Sequence, residues 1–367
     1  MSLAYYITAH GYGHGTRSCD ILRAVRELDP ALPITVISDL PREFLASRLP
    51  GAGWSFLPGR FDVGMVQRDS IKVDVAATLA ECRALLEAAP MLQQQQESFL
   101  RSAGVRAVVS DIPAIPLAAA RACGLPALAV GNFAWDWIYD EFAAGDPAWR
   151  PAVDHFRQRY ALCDLLLRLP FAEPMSSFPR KHDIGVPARP GTQRRADLAA
   201  RTGADPAKPW VLLSFTSLDW SPAALDRVLS LRDWDFFTVR PLAWAGHNLH
   251  AVDRREIPYS DVLASCDVVL TKPGFGVLAE CAVNDKPMIF VERTDFREYP
   301  ILEAAVRRHF RHAYLPAEQL YRGELREALE AVAAAPTAHH PVPAGGDRAA
   351  ARIILDAVCD GRVSVSG

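Results

Sequence analysis

Two histidines within five residues, in HGYGHGTRS (10–18), are the first feature with chemical content. Histidine titrates near neutrality, so His14 and His10 are the candidates for taking a proton from a reacting group. Gly11, Gly13 and Gly15 surround them. A glycine-rich turn where a strand meets a helix leaves backbone N–H groups free at the helix N-terminus, which favours anions and polar groups. The segment is not a Walker A loop, since it lacks the Lys and the spacing. It is not G-x-G-x-x-G either, because the third glycine comes one residue early.

A second glycine-rich junction is TKPGFGVLAE (271–280). Gly274, Gly276 and Ala279 formally fit the dinucleotide fingerprint, with Glu292 and Asp295 near the spacing of a ribose acid. The match falls late in the chain rather than in a first βαβ unit, which argues against a dehydrogenase. Glu280, within two turns of the helix start, is placed to accept hydrogen bonds from a ribose diol. The charged stretch ERTDFREYP (292–300) follows the next strand, beside the Gly274 loop. Earlier in the chain, SDIP (110–113) brings Asp111 to a strand end, as a further catalytic candidate. GNFAWDWIYDEF (131–142) sets Trp135, Trp137 and Tyr139 beside Asn132 and Asp136, a composition suited to stacking on a sugar and bonding its hydroxyls.

The elements that must position these groups read as α/β. LAYYITA (3–9) is an uninterrupted apolar run; Ile21, Leu22, Val25 and Leu28 follow at helical spacing; ITVIS (34–38) returns to strand character. The series continues with a helix over 74–102, a strand at 107–110, a helix at 114–123 and a strand at 128–131. Strands without alternation imply parallel sheets covered on both faces. Residues 171–209, rich in Pro, Gly and basic side chains, read as a linker between a first domain, 1–170, and a second, 210–335. The second has strands at 210–215, 235–240, 267–271 and 287–292. Residues 336–367 read as a tail that ends in a helix, GDRAAARIILDAVCD. In open sheets of this kind, ligands bind at the carboxyl ends of the strands, where both glycine-rich junctions lie.

Composition narrows the classes. A chain of 367 residues exceeds what one core fills, which predicts two domains. Forty Lys and Arg against 43 Asp and Glu give a net charge of −3 with no basic stripe, which argues against nucleic acid. No apolar run reaches the ~20 residues that span a bilayer, and a basic leader is not seen, so a cytoplasmic protein is expected. Seven cysteines, without a CxxC pair, read as reduced and buried rather than as metal ligands.

In this order, HGYGHGTRS, SDIP, NFAWDWIYDEF, LRLPF and KPGFGVLAE resemble the glycosyltransferase-like N-terminal region of plant L-arabinokinases and its stand-alone bacterial relatives. The resemblance covers roughly 3–360, and does not include the kinase half. More distantly, the layout is similar to the GT-B glycosyltransferases, including the N-acetylglucosaminyltransferase that forms lipid II. It implies two Rossmann-like doubly wound domains facing across a cleft, a nucleotide-diphosphate sugar as co-substrate, a small-molecule or glycan acceptor, no metal and no further cofactor. It implies Glu280 at the ribose and Glu298 at the donor sugar. Ser214 and Thr216 would meet the diphosphate with Lys272, and Ile257 and Tyr259 would flank the base. Gly274, Phe275 and Gly276 would line the donor, with Gly13 from the first domain. His14 would be the acceptor base or a donor contact, and Asn132, Trp135 and Trp137 would meet the acceptor. A nucleotide-sugar epimerase and a sensor without turnover are the rival expectations.

Overall fold

The computed structural model describes residues 1–66, 73–293, 296–338 and 340–363. The described chain divides into two compact units, one comprising 1–66, 73–188 and the described residues from 343 onward, the other the described residues of 189–342.

The first unit is built on strands β1 (Ser2–Ile7), β2 (Ile34–Ser38), β3 (Trp54–Pro58), β4 (Val105–Asp111), β5 (Ala127–Gly131), β6 (Leu165–Arg168) and β7 (Lys181–Asp183). They pair in the order β3-β2-β1-β4-β5-β6-β7, all parallel. Leu3 through Tyr6 have no exposed surface, as a central strand covered on both faces requires. The covering helices are α1 (Tyr12–Leu28), α2 (Arg42–Arg48), α3 (Val75–Ser102), α4 (Ile115–Ala122), α5 (Trp135–Ala143) and α6 (Arg150–Tyr160). α3 starts where its sequence says it should, because the Asp74 carboxylate accepts the Ala77 N–H at 3.0 Å as an N-cap.

The second unit carries α7 (Arg195–Thr202), β8 (Trp210–Ser214), α8 (Pro222–Leu229), β9 (Asp235–Val239), β10 (Leu249–Val252), α9 (Tyr259–Ser265) and β11 (Val268–Thr271). It continues with α10 (Phe275–Val283), β12 (Met288–Val291), α11 (Tyr299–His309), β13 (His312–Leu315), α12 (Ala317–Arg322) and α13 (Arg326–Ala334). Its sheet runs β10-β9-β8-β11-β12-β13, again all parallel. In each sheet the strand order therefore reverses once, between β1 and β4 in the first and between β8 and β11 in the second. Those are the two crevices where doubly wound sheets hold ligands.

The segment expected to be a linker is partly structured, and the tail is not separate. Residues 181–183 add the seventh strand to the first sheet, and 195–202 form α7 of the second unit. The last helix, α14 (Gly346–Asp360), packs on α1 and β4 of the first unit through Ala350, Ala351, Ile354, Ala357 and Val358, an apolar stripe at helical spacing. Its docking depends on two glycines. The Val186 N–H donates to the Pro343 carbonyl at 2.8 Å and the Gly346 N–H to the Val186 carbonyl at 3.2 Å. A Cβ on Gly346 would stand 1.8 Å from the Gly185 carbonyl oxygen, so the strands of chain can approach only without it.

One buried group makes the first unit acid-sensitive. His155, on α6, is 8% exposed, its Nε2 is without a hydrogen-bond partner among the described residues, and burial pushes its pKa down to about 4. The folded state holds the ring neutral, while the unfolded chain takes up a proton near pH 6.5. The stability this group contributes is therefore complete above pH 6.5 and is lost as pH falls toward 4, by about 3 kcal/mol in all. His155→Phe is expected to remove that loss. Urea unfolding of both proteins at pH 7 and pH 4.5 measures it, and a difference between them that does not grow toward low pH would contradict it.

Candidate active site

The β1–α1 junction places the two histidines, although most of the glycine-rich segment is helix rather than turn. Gly11 is the N-cap of α1, in extended conformation, and Gly13, His14 and Gly15 already lie in its first turn. The His14 ring is 6% exposed and faces the end of β4 across the switch point, where its Nδ1 lies 2.8 Å from Asp111 Oδ1. Asp111 has no exposed surface and collects three more donors. Arg17 Nε reaches Oδ2 at 2.7 Å, Arg17 Nη2 reaches Oδ1 at 2.5 Å, and Ser18 Oγ donates to Oδ2 at 2.9 Å. Arg17 Nη1 then donates to Asn132 Oδ1 at 2.8 Å, at the end of β5. Helix α1 and the ends of β4 and β5 thus converge on one buried polar network.

Electrostatics fix the state of this network. Burial alone would raise the Asp111 carboxyl, but Arg17 and His14 outweigh it and hold the group well below the usual carboxylate range. Burial pushes His14 down, and the Arg17 charge adds to that, against the opposing pull of Asp111. The result is an ionised carboxylate beside a neutral imidazole.

His10 has a different setting. Its Nδ1 accepts the Met65 N–H at 3.2 Å, and its ring lies edge-on to Trp135 at 5.0 Å. Gly64 permits this approach: its φ is +73°, and a Cβ there would stand 2.5 Å from His10 Nδ1. The Trp135 ring that meets His10 is held in turn by Asp62, which accepts from Thr8 Oγ1 at 2.9 Å and from Trp135 Nε1 at 2.8 Å. Burial raises this carboxyl to about 6, against those two hydrogen bonds, which lower it.

That arrangement corrects several expectations for the 131–142 stretch. Trp135 is wholly buried, held by Asp62 on its indole N–H and stacked on Tyr139, so it has no face to offer a sugar. Tyr139 donates to the Gly64 carbonyl at 2.9 Å, and the Asp136 carboxylate accepts from Ser177. Asn132, also wholly buried, serves Arg17 rather than an acceptor. Trp137 alone of the three expected acceptor residues keeps part of its surface exposed. The aromatic composition is a core signature here: Trp135 stacks on Tyr139, and Tyr139 packs against Phe156 of α6.

In the second unit, the expected donor residues gather at its own switch point. Ser214 ends β8, and its hydroxyl lies 2.6 Å from the Tyr259 hydroxyl, at the start of α9. Burial raises the Tyr259 phenol well above its ordinary range, and the charge of Glu280 adds to that. The Tyr259 hydroxyl is thus engaged by Ser214, while the residue keeps part of its surface exposed. Ile257 is 1% exposed and has no side-chain surface to offer a base. Lys272 and Gly274 form the β11–α10 loop, with Gly274 as N-cap, and Phe275 and Gly276 open α10. Glu280 is buried in the second turn of α10, and Thr216 is exposed beyond β8. Glu298 is buried at the N-cap of α11. Glu292 accepts the Ala317 N–H at 2.8 Å, which ties it to the start of α12 and removes it as a ribose acid. Asp295 lies outside the described residues. Among the described residues, no three His, Cys, Asp or Glu side chains come together as a metal site, and no helix is long and apolar enough to cross a membrane.

Sequence reading missed Arg17 and Ser18. The available signal was spacing, since His14 and Arg17 are three apart on a helix and must share a face.

No protein-family model matches the chain. L-arabinokinase of Arabidopsis thaliana is 28% identical over 316 residues, which cover 82% of this chain and 29% of that protein. The chain thus matches less than a third of that relative's length. Among solved structures, the glycotransferase of kitacinnamycin superposes with a TM-score of 0.63 at 16% identity, over 98% of this chain and 97% of that one. A UDP-glucosyltransferase from Polygonum tinctorium gives 0.61 at 14% identity, over 98% and 93%. The glycosyltransferase VinC, in complex with dTDP, gives 0.57 at 16% identity, over 98% and 95%. The chain has the fold of the GT-B glycosyltransferases, with two Rossmann-like parallel-sheet units, and its sequence is similar to a segment of L-arabinokinase.

Proposed function

We propose that this chain is a glycosyltransferase that moves a sugar from a UDP-linked donor to an acceptor hydroxyl, with inversion and without an essential metal. The observation that carries the reading is the His14–Asp111 pair at the first switch point, with the carboxylate on Nδ1. An imidazole anchored in this way keeps its Nε2 lone pair for a proton.

The acceptor hydroxyl gives its proton to His14 Nε2 while its oxygen forms a bond to the anomeric carbon of the donor. The bond from that carbon to the diphosphate oxygen breaks, and its electron pair leaves with the diphosphate. Backbone N–H groups at the start of α10 and the Lys272 ammonium meet the charge that develops there, which is why no metal is required. Glu280 holds the ribose diol; Ser214, aligned by Tyr259, and Thr216 serve the diphosphate. Gly274, Phe275 and Gly276 line the donor, Glu298 approaches its sugar, and Trp137 contributes to the acceptor side. A pyrimidine nucleotide is supported by the names of two structural neighbours, the UDP-glucosyltransferase and the dTDP complex.

Thermal-shift titration with UDP, GDP, ADP and dTDP sugars identifies the donor, since a ligand that binds the folded state alone raises its melting temperature. Turnover is then read as nucleotide diphosphate released in the presence of an acceptor panel, and it is expected to persist in excess EDTA. Conversion of the sugar without an acceptor would mark an epimerase, and binding without any reaction a sensor. Glu280→Ala is expected to weaken nucleotide binding by ~1.5–3 kcal/mol, the worth of charge-assisted hydrogen bonds to a diol. Calorimetry with the identified nucleotide checks it, and an unchanged Kd would remove Glu280 from the donor site.

A further inference from the structure

We propose that Arg17 is a positioning residue of the transfer reaction: by gripping both oxygens of Asp111 and the amide oxygen of Asn132, it decides which imidazole nitrogen of His14 accepts a proton. The proposal rests on the reading of His14 as the base.

An ionised carboxylate offers about four lone-pair sites and no proton. Arg17 Nε, Arg17 Nη2 and Ser18 Oγ fill three of them, and His14 Nδ1 stands at the fourth, 2.8 Å from Oδ1. Asp111 cannot donate, so we assign the proton to Nδ1, where it gives the carboxylate its fourth donor and leaves Nε2 bare; the opposite tautomer would have Nδ1 accept from Arg17 Nη2 at 2.9 Å. Arg17 secures the premise, since its fork keeps the buried carboxyl ionised. Its Nη2 also lies 2.9 Å from His14 Nδ1. With Nδ1 protonated this is a contact between two donors, and the fixed positive charge there disfavours a second one on the ring. One side chain thereby sets the orientation of the carboxylate, the tautomer of the base and its neutrality. The third arm, on Asn132, fixes the guanidinium itself, so the set spans α1 and the ends of β4 and β5.

Among the described residues, the groups that face His14 are few. Arg17 comes from its own helix and Asp111 from β4; His10, on the β1–α1 loop, has its ring centre 6.5 Å away. From the segment after β5 comes the Phe133 ring at 5.6 Å, which carries no charge. Removing the guanidinium therefore takes away the positive charge that opposes protonation of the ring and leaves the Asp111 charge beside it, so His14 must hold its proton to higher pH.

The test begins with 15N spectra of the histidines in the full chain, free of substrate, from pH 5 to 9. The wild-type protein is expected to show His14 at pH 7 as a neutral ring protonated on Nδ1. In Arg17→Met the His14 midpoint is expected to rise by about one pH unit or more, and the acid limb of kcat/KM to move with it. Arg17→Lys keeps the charge but loses the fork, so its midpoint is expected to hold while the single Nδ1–H signature gives way to a mixture and kcat falls. A purely structural arginine would lower the melting temperature of both variants and move neither signal. A wild-type His14 protonated on Nε2, or a folded Arg17→Met protein with an unmoved midpoint, would overturn the proposal. If Arg17→Met does not fold, a wild-type tautomer signature in Arg17→Lys does so. The spectra need no turnover, so failure of the transferase reading shows separately, as absence of product.

Discussion

His14→Ala is expected to lower kcat by ~10²–10⁴-fold, the range that a positioned general base supplies, while the nucleotide Kd changes little. The ring belongs to the acceptor step, so its loss falls on the transition state and leaves the donor residues of the second unit untouched. His10→Ala is the matched control, and the geometry separates the two. An Nδ1 that accepts the Met65 N–H leaves the His10 proton on Nε2, so that ring has no lone pair to offer an acceptor. Its loss opens space beside Gly64 and Trp135 and is expected to reduce the melting temperature more than the chemical step. Both variants are assayed for turnover, nucleotide Kd and thermal unfolding. Full turnover by His14→Ala would remove the base from the mechanism, and a collapse of nucleotide binding would recast His14 as a donor contact.

The site was legible in the sequence as far as it depends on strand ends. Uninterrupted apolar runs give parallel strands, a parallel doubly wound sheet has ligands at its carboxyl edge, and both glycine-rich junctions fall there. What remained hidden was set by contacts between distant segments. Arg17 reads as an ordinary helix surface residue until Asp111, on another strand, is brought against it. The indole of Trp135 looks suited to a sugar until Asp62 takes its N–H. Short strands such as Lys181–Asp183 and Leu249–Val252 carry too few residues to show a period. The last helix was legible from its apolar spacing, but the unit it joins is chosen by the close approach of Gly346 to Gly185, two positions with no side chain to read.

Asp111→Asn is expected to destabilise the protein by about 3–5 kcal/mol, the cost of leaving one member of a buried ion pair without its partner. Arg17 is 4% exposed, so its guanidinium would be left buried beside a neutral amide. The asparagine amide would also set its NH2 against Arg17 Nε in one orientation, or against both Arg17 Nη2 and His14 Nδ1–H in the other. Turnover should fall by ~10³–10⁴-fold as well, since an imidazole without its carboxylate is no longer held in the Nδ1–H form. Urea unfolding gives the first figure, and assays well below the transition give the second without contamination from unfolded protein. The double variant Asp111→Asn with Arg17→Met decides whether the pair is the cause. With both charges gone, no ion remains buried alone, so the double variant should be more stable than Asp111→Asn by itself. It should stay as inactive as the single variant, because the base is still unaligned. Losses in stability that simply add would show that Arg17 and Asp111 act independently, and the network would lose its place at the centre of the site.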